Sequence, residues 1–226
     1  MTFKELNLNA SLLEGIDAMG FKDATPIQEE TIPIILEGHD LIGSAQTGTG
    51  KTAAFLLPIL HKIIESGEKN VTKALIIAPT RELVKQIDQQ IQGLSYFADV
   101  NAIPVYGGGD GDLFAQEQTA LKTGAPIVVA TPGRLIAHLA MNYVKFGDVD
   151  YLILDEADRM LDMGFYNDIV KIISYLPKER QNLFFSATMP QKAKKLADEI
   201  LKEPKVVSFA VSKPAEKIVQ LAFNTY

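Results

Sequence analysis

An ammonium and a hydroxyl at adjacent positions, Lys51 and Thr52, close the run Ala45-Gln46-Thr47-Gly48-Thr49-Gly50-Lys51-Thr52. Glycines 48 and 50 let the backbone bend toward an anion, so that successive N–H groups point inward. A helix opening near Gly50 adds the positive end of its dipole. Lys51 then supplies a point charge for β- and γ-phosphates, and the Thr52 hydroxyl an oxygen ligand for Mg²⁺. Ala45 stands where the common form of such a loop has its first glycine. The alternative is a glycine-rich turn that merely caps a helix. An apolar run before it, Leu41-Ile42-Gly43, and helical spacing after it, Ala53, Ala54, Leu56, Leu57 and Leu60, favour the phosphate loop. The stretch reads as a nucleoside triphosphate site.

Carboxylates complete that chemistry. Asp155-Glu156-Ala157-Asp158 follows the apolar run Tyr151-Leu152-Ile153-Leu154. Mg²⁺ prefers oxygen ligands, keeps several waters and bridges phosphate oxygens. Asp155 is therefore expected in the metal shell, alongside Thr52, with Glu156 orienting or deprotonating the attacking water. Alone, these four residues are an ordinary acidic turn; Lys51 and Thr52 give them a purpose.

Such residues need elements to hold them. Short apolar runs recur at 74–78, 101–105, 127–130, 151–154, 182–185 and 205–208, each of the first five followed by helical spacing. Earlier, Asn9 or Ser11 can cap a helix bearing Leu12, Leu13, Ile16 and Met19, and a second helix is expected from Ile27 to Leu36 despite Pro33. Continuous apolar strands alternating with amphipathic helices predict an α/β fold, a mostly parallel sheet with helices on both faces. Ligands bind such sheets beyond the carboxyl ends of the strands. The candidate motifs from residue 45 onward fall just there, as one composite site requires.

Composition narrows the classes. The 226 residues suffice for one α/β domain or two small ones, and 47% hydrophobic against 22% charged residues is ordinary for a globular chain. There is no cysteine, which excludes disulfides and thiolate metal sites. His39, His61 and His138 lack ligand spacing and read as surface or turn residues. No apolar run reaches the roughly 18 residues of a membrane span, and the first residues lack a signal-peptide core. A cytoplasmic setting follows as an expectation. With 22 Lys+Arg against 28 Asp+Glu, the chain is not held to nucleic acid mainly by charge.

The motifs taken together resemble the DEAD-box family of RNA helicases, over essentially the whole chain. Gly20 to Gln28 resembles the adenine-reading Q motif, with Phe3 as its isolated upstream aromatic, and alanine at the first loop position is normal for that family. Pro79-Thr80-Arg81-Glu82-Leu83, Gly107-Gly108 and Thr131-Pro132-Gly133-Arg134 resemble its RNA-contact motifs. Ser186-Ala187-Thr188 resembles the motif that links hydrolysis to strand separation. Ala24 departs from the usual proline, and a third glycine, Gly109, follows the pair.

The resemblance implies a RecA-like domain over residues 1–208, with 209–226 opening a linker to an absent second RecA-like domain in cis. It implies ATP and Mg²⁺, with Phe21, Thr25, Gln28 and Ala45 to Thr52 around the nucleotide. It implies single-stranded RNA, bound without sequence preference, at Pro79, Thr80, Arg81, Gly108, Thr131, Gly133 and Arg134. Asp158, Ser186 and Thr188 would couple the two sites through hydrogen bonds. Phe165 is expected in the core or near the RNA track, and Lys192, Lys194 and Lys195 on a solvated helix face. The implied protein is a monomer whose isolated first domain hydrolyses little ATP, since the second half carries the arginine finger. A nucleotide-gated RNA clamp, a DNA-directed translocase and, remotely, a metabolic kinase are the competing classes.

Overall fold

The computed structural model describes residues 1–46, 48–108 and 111–209. Thr47, Gly109 and residues 210–226 of the expected 209–226 linker lie outside the described residues. A 3₁₀ turn at Phe3–Leu6 precedes α1 (Ala10–Ala18) and α2 (Pro26–Leu36). Then come β1 (Leu41–Ser44), α3 (Lys51–Ser66), β2 (Ala74–Ile77), α4 (Arg81–Leu94) and β3 (Ala102–Val105). The chain continues through α5 (Gly111–Thr123), β4 (Ile127–Ala130), α6 (Pro132–Leu139), β5 (Tyr151–Leu154), α7 (Ala157–Asp162) and α8 (Tyr166–Ile173). The described residues end with β6 (Gln181–Ser186), α9 (Gln191–Ile200) and β7 (Lys205–Ser208).

Local chemistry sets the boundaries. Asn9, not Ser11, caps α1: its side-chain oxygen accepts from the Ser11 amide at 3.0 Å. α2 starts one residue before the expected Ile27, because Pro26 at a first helical position loses no hydrogen bond. α7 was not legible as a helix in the acidic run, having only six residues.

The seven strands among the described residues form one sheet in the order β3-β4-β2-β5-β6-β1-β7, and every pairing between them is parallel. β2 and β4 are buried along their whole length, which accounts for their continuous apolar runs, and β6 is buried throughout although it carries Gln181, Asn182 and Ser186. Pro104 is tolerated because β3 lies at an edge, where one lost ladder bond matters least.

Alternation along each strand feeds two cores. Ala74, Ile76 and Ile153 face the layer of α1 to α4, whose Leu12, Ile32, Phe55 and Ile87 are fully buried. Leu75, Ile77, Leu152 and Leu154 face α5 to α9 and meet Leu135, Met160, Ile169 and Leu196. Phe55 of α3 packs on Phe185 of β6 with ring centroids 5.3 Å apart. Both are fully buried, so truncating either to alanine costs about 3–5 kcal/mol. His138 corrects the surface reading of the histidines: it is completely buried. Its place in the core depends on polar partners described below.

Candidate nucleotide site and adjoining groove

The strand order decides what meets. β6 lies between β1 and β5, so the loop after β1, the acidic run after β5 and Ser186 at the end of β6 share one stretch of rim. The Ala45 amide bonds the Ser186 carbonyl at 3.3 Å, joining loop and sheet directly.

Gly48 and Gly50 have φ of +82° and +92°, values that an L side chain resists. Gly50 also has no room to be anything else. A Cβ there would lie 2.5 Å from Gln28 Nε2 and 2.9 Å from Thr25 Oγ1. Gln28 is only 4% exposed and clasps the loop, donating from Nε2 to the Gly50 carbonyl at 3.0 Å and accepting from the Thr25 amide at 2.9 Å. One N–H and one lone pair of that amide stay uncommitted, the complement an adenine edge presents. Thr25 Oγ1 is buried without a partner among the described residues. Phe21 is half-buried with one face on Phe3, their centroids 6.4 Å apart, so any stacking on a base uses the rest of the ring.

Lys51 is 6% exposed and folds back on its own loop, donating from Nζ to the Ala45 carbonyl at 2.7 Å. Among the described residues no ion pair joins it to Asp155. Asp155 is 3% exposed, and burial pushes its carboxyl up to about 6 despite the pull of the Lys51 ammonium nearby; Glu156 and Asp158 push the same way as burial. Glu156 holds left-handed backbone at φ +51°, an uncommon state for a side-chain-bearing residue, and its carboxylate meets Arg159 at 3.2 Å.

No cluster of three or more His, Cys, Asp or Glu that could hold a metal occurs among the described residues. Thr52 and Asp155 offer a sparse, oxygen-only donor set, and Asp155 is a buried carboxylate without a cation bonded to it. That fits Mg²⁺, which leaves most of its shell to water and phosphate.

Asp158 meets the residues expected to couple with it. Its carboxylate accepts from the Thr188 amide at 2.8 Å and the Thr188 hydroxyl at 2.7 Å, and its own amide donates to Ser186 Oγ at 3.2 Å. Burial alone would raise this carboxyl, but the Thr188 and Ser186 bonds outweigh it and hold the group below its ordinary range. Ser186 Oγ donates onward to the Thr188 carbonyl at 2.6 Å.

The other half of the rim, over β2 and β4, carries an open groove of about 540 Å³. Pro79, Thr80, Arg81, Thr131, Gly133 and Arg134 line it, all of them expected RNA contacts; Gly107 does so too. Phe165 is there, and with it Met163, 49% exposed, which sequence reasoning missed. Thr80 caps α4 by accepting from the Leu83 amide at 3.3 Å, and Thr131 precedes α6 with Pro132 in its first turn. Gly108 does not line the groove but backs it. Its φ is +96°, and a Cβ would fall 1.5 Å from the Arg81 guanidinium. The three lysines of α9 are exposed, as a solvated face requires.

No helix among the described residues is long and apolar enough to cross a membrane. Against known families, the DEAD/DEAH box helicase profile matches residues 25–196. An ATP-dependent RNA helicase CshA of Listeria monocytogenes is 44% identical over 98% of this chain and 42% of its own length. The DEAD-box ATP-dependent RNA helicase CshA of Streptococcus pneumoniae is 48% identical over 97% of the chain and 41% of its own. That of Geobacillus kaustophilus is 43% identical over 91% and 43%. The chain thus spans about two fifths of the curated relatives it matches. With the match across more than half its length, these identities and the RecA-like parallel sheet, the chain belongs to the DEAD/DEAH box helicase family.

Proposed function

We propose that this chain is the first of two RecA-like domains of a cytoplasmic, monomeric ATP-dependent RNA helicase. Residues 1–208 form that domain, and the chain from 209 starts the linker. The observation that carries the reading is the adjacency of two sites on one rim: phosphate-loop chemistry over β1, β6 and β5, and a groove of capped helix termini over β2 and β4.

In this reading the loop amides of residues 45–52 and the Lys51 ammonium bind the triphosphate. Lys51 exchanges the Ala45 carbonyl for phosphate oxygen. Thr52 and Asp155 hold Mg²⁺, which neutralises developing charge on the phosphates when bound. Glu156 takes a proton from the attacking water, which its carboxylate can do once it leaves Arg159. Thr25 and Gln28 fix the base against the loop. Asp158 reports the nucleotide state to β6 through Thr188 and Ser186. Thr80, Thr131 and the amides beside them, with Arg81 and Arg134, bind successive phosphates of one RNA strand. Contacts made to the backbone alone are blind to base sequence, and neutral amides let an acidic protein make them.

ATP and RNA then draw the second domain over the first, bending the bound strand so that a short duplex opens. The arginine that completes the ATPase site comes from that second domain. Its absence costs about 10³–10⁵ in phosphoryl-transfer rate. The test is ATP hydrolysis by the 226-residue chain and by the full-length protein, each with matched RNA and DNA strands. The expected result is negligible turnover by the chain and RNA-specific stimulation of the full-length protein. Robust RNA-stimulated turnover by the chain overturns the division of labour, and equal stimulation by DNA overturns the assignment to RNA.

A further inference from the structure

Behind the groove lies a buried polar knot that neither the nucleotide site nor the capped helices explain. Glu117, on α5, is 4% exposed and its carboxylate accepts from three groups at once. Oε2 accepts from Arg134 Nε at 2.6 Å and from His138 Nε2 at 2.9 Å, both on α6. Oε1 accepts from the Tyr106 amide at 2.9 Å, just beyond β3. A carboxylate can only accept, so the imidazole proton sits on Nε2 and Nδ1 is left to accept from the Tyr143 hydroxyl. Phe114, one turn before Glu117, stacks on His138 with centroids 4.2 Å apart and planes 14° from parallel. The Arg134 guanidinium lies 4.4 Å above the same ring.

Arg134 is therefore held at its Nε and along one face. Its Nε is spent on Glu117, its face is covered by Phe114, and its side chain is 16% exposed at the wall of the groove. One terminal nitrogen, Nη2, is buried with no partner among the described residues. A bare arginine would spend much rotamer entropy to reach a phosphate; this one has spent it already.

We propose that Glu117, steadied by His138, is the positioning residue that aims Arg134 at an RNA phosphate. The inference rests on the RNA reading of the groove. Glu117 touches no ligand itself. It orders α6 and the turn after β3 about one carboxylate, so that both walls of the groove keep a fixed separation.

The test is binding of a fluorescein-labelled oligouridylate to the 226-residue chain, by anisotropy at low salt, combined with thermal melting. Arg134→Ala should weaken binding about tenfold, the value of one charge-assisted hydrogen bond. Glu117→Ala should weaken it as much, and the two losses should not add in the double variant. Glu117→Gln, which keeps an oxygen for the guanidinium, should recover affinity to within about threefold. If Glu117→Ala melts too low to assay, Glu117→Asp keeps the charge, withdraws the oxygens by one methylene and should lose about fivefold. Unchanged affinity in the Glu117 variants, or a loss that persists undiminished in the Arg134→Ala background, overturns the proposal while leaving the groove reading intact. Unchanged affinity in Arg134→Ala itself instead removes the groove's assignment at this residue.

Discussion

The two halves of the rim are prepared to different degrees. In the groove the key cation is already seated: Arg134 is held by Glu117 and Phe114, and the cavity is open. In the phosphate loop the key cation is engaged with its own backbone, Lys51 on the Ala45 carbonyl, while Gln28 clasps Gly50 and Glu156 pairs with Arg159. The first half can accept a ligand as it stands. The second must trade internal bonds for external ones, and each trade reduces the net gain on binding. Preorganisation thus belongs to the groove half and rearrangement to the loop half.

The sharpest way to break that contrast is Lys51→Ala. It should weaken adenine nucleotide binding by more than 100-fold, as read by titration calorimetry, while oligouridylate binding by the isolated chain changes less than twofold. Parallel losses at both sites would mean the halves are not separable. Next comes Glu156→Gln in the full-length protein: turnover should fall about 10²–10⁴-fold with ATP binding kept, as removal of a general base requires. Normal turnover would strip Glu156 of that role.

Asp155→Asn separates function from stability. The folded carboxyl titrates near 6 against an ordinary 3.8, so ionising it costs the folded state. That cost is fully present above pH 6 and vanishes below about pH 4. The variant should therefore be more stable at pH 8 by about 1–3 kcal/mol, lose that advantage toward pH 4, and fail to bind Mg²⁺-nucleotide. A stability gain independent of pH would show that burial of the charge is not its source. On the groove side, Arg81→Ala should weaken RNA about fivefold and lower the salt slope by about one phosphate. Smallest of all, Thr188→Ala should cost about 1 kcal/mol of melting stability by removing the hydroxyl bond to Asp158; no shift would leave the amide as the sole contact.

Much of this was legible in the letters because it is local. The turn glycines, the Thr-Pro pair opening α6 and the four residues of β7 are fixed by neighbours in sequence. Glu117, His138 and Tyr143 are not: no spacing rule links them, and they meet only because α5 and α6 pack behind β3 and β4. One trace was available. Glu117 falls on the helical face of Leu113 and Leu121, and His138 stands beside the core residue Leu139, so both are polar groups set in apolar stripes. Such a placement demands buried partners, though not which ones. The resemblance likewise set Gln28 beside the nucleotide, but nothing in the letters indicated that its amide also holds the Gly50 carbonyl.

The position of β6 has a further consequence. Neighbouring strands lie about 4.8 Å apart, so a strand between β1 and β5 holds their tips about 10 Å from one another. Were those two strands direct neighbours, Lys51 and Asp155 could collapse into an ordinary ion pair, each quenching the other. The intervening strand sets the two tips further apart, and Lys51 bonds the Ala45 carbonyl rather than Asp155, which leaves a gap between the ammonium and the carboxylate. A magnesium-bearing polyphosphate is the kind of body that can bridge it.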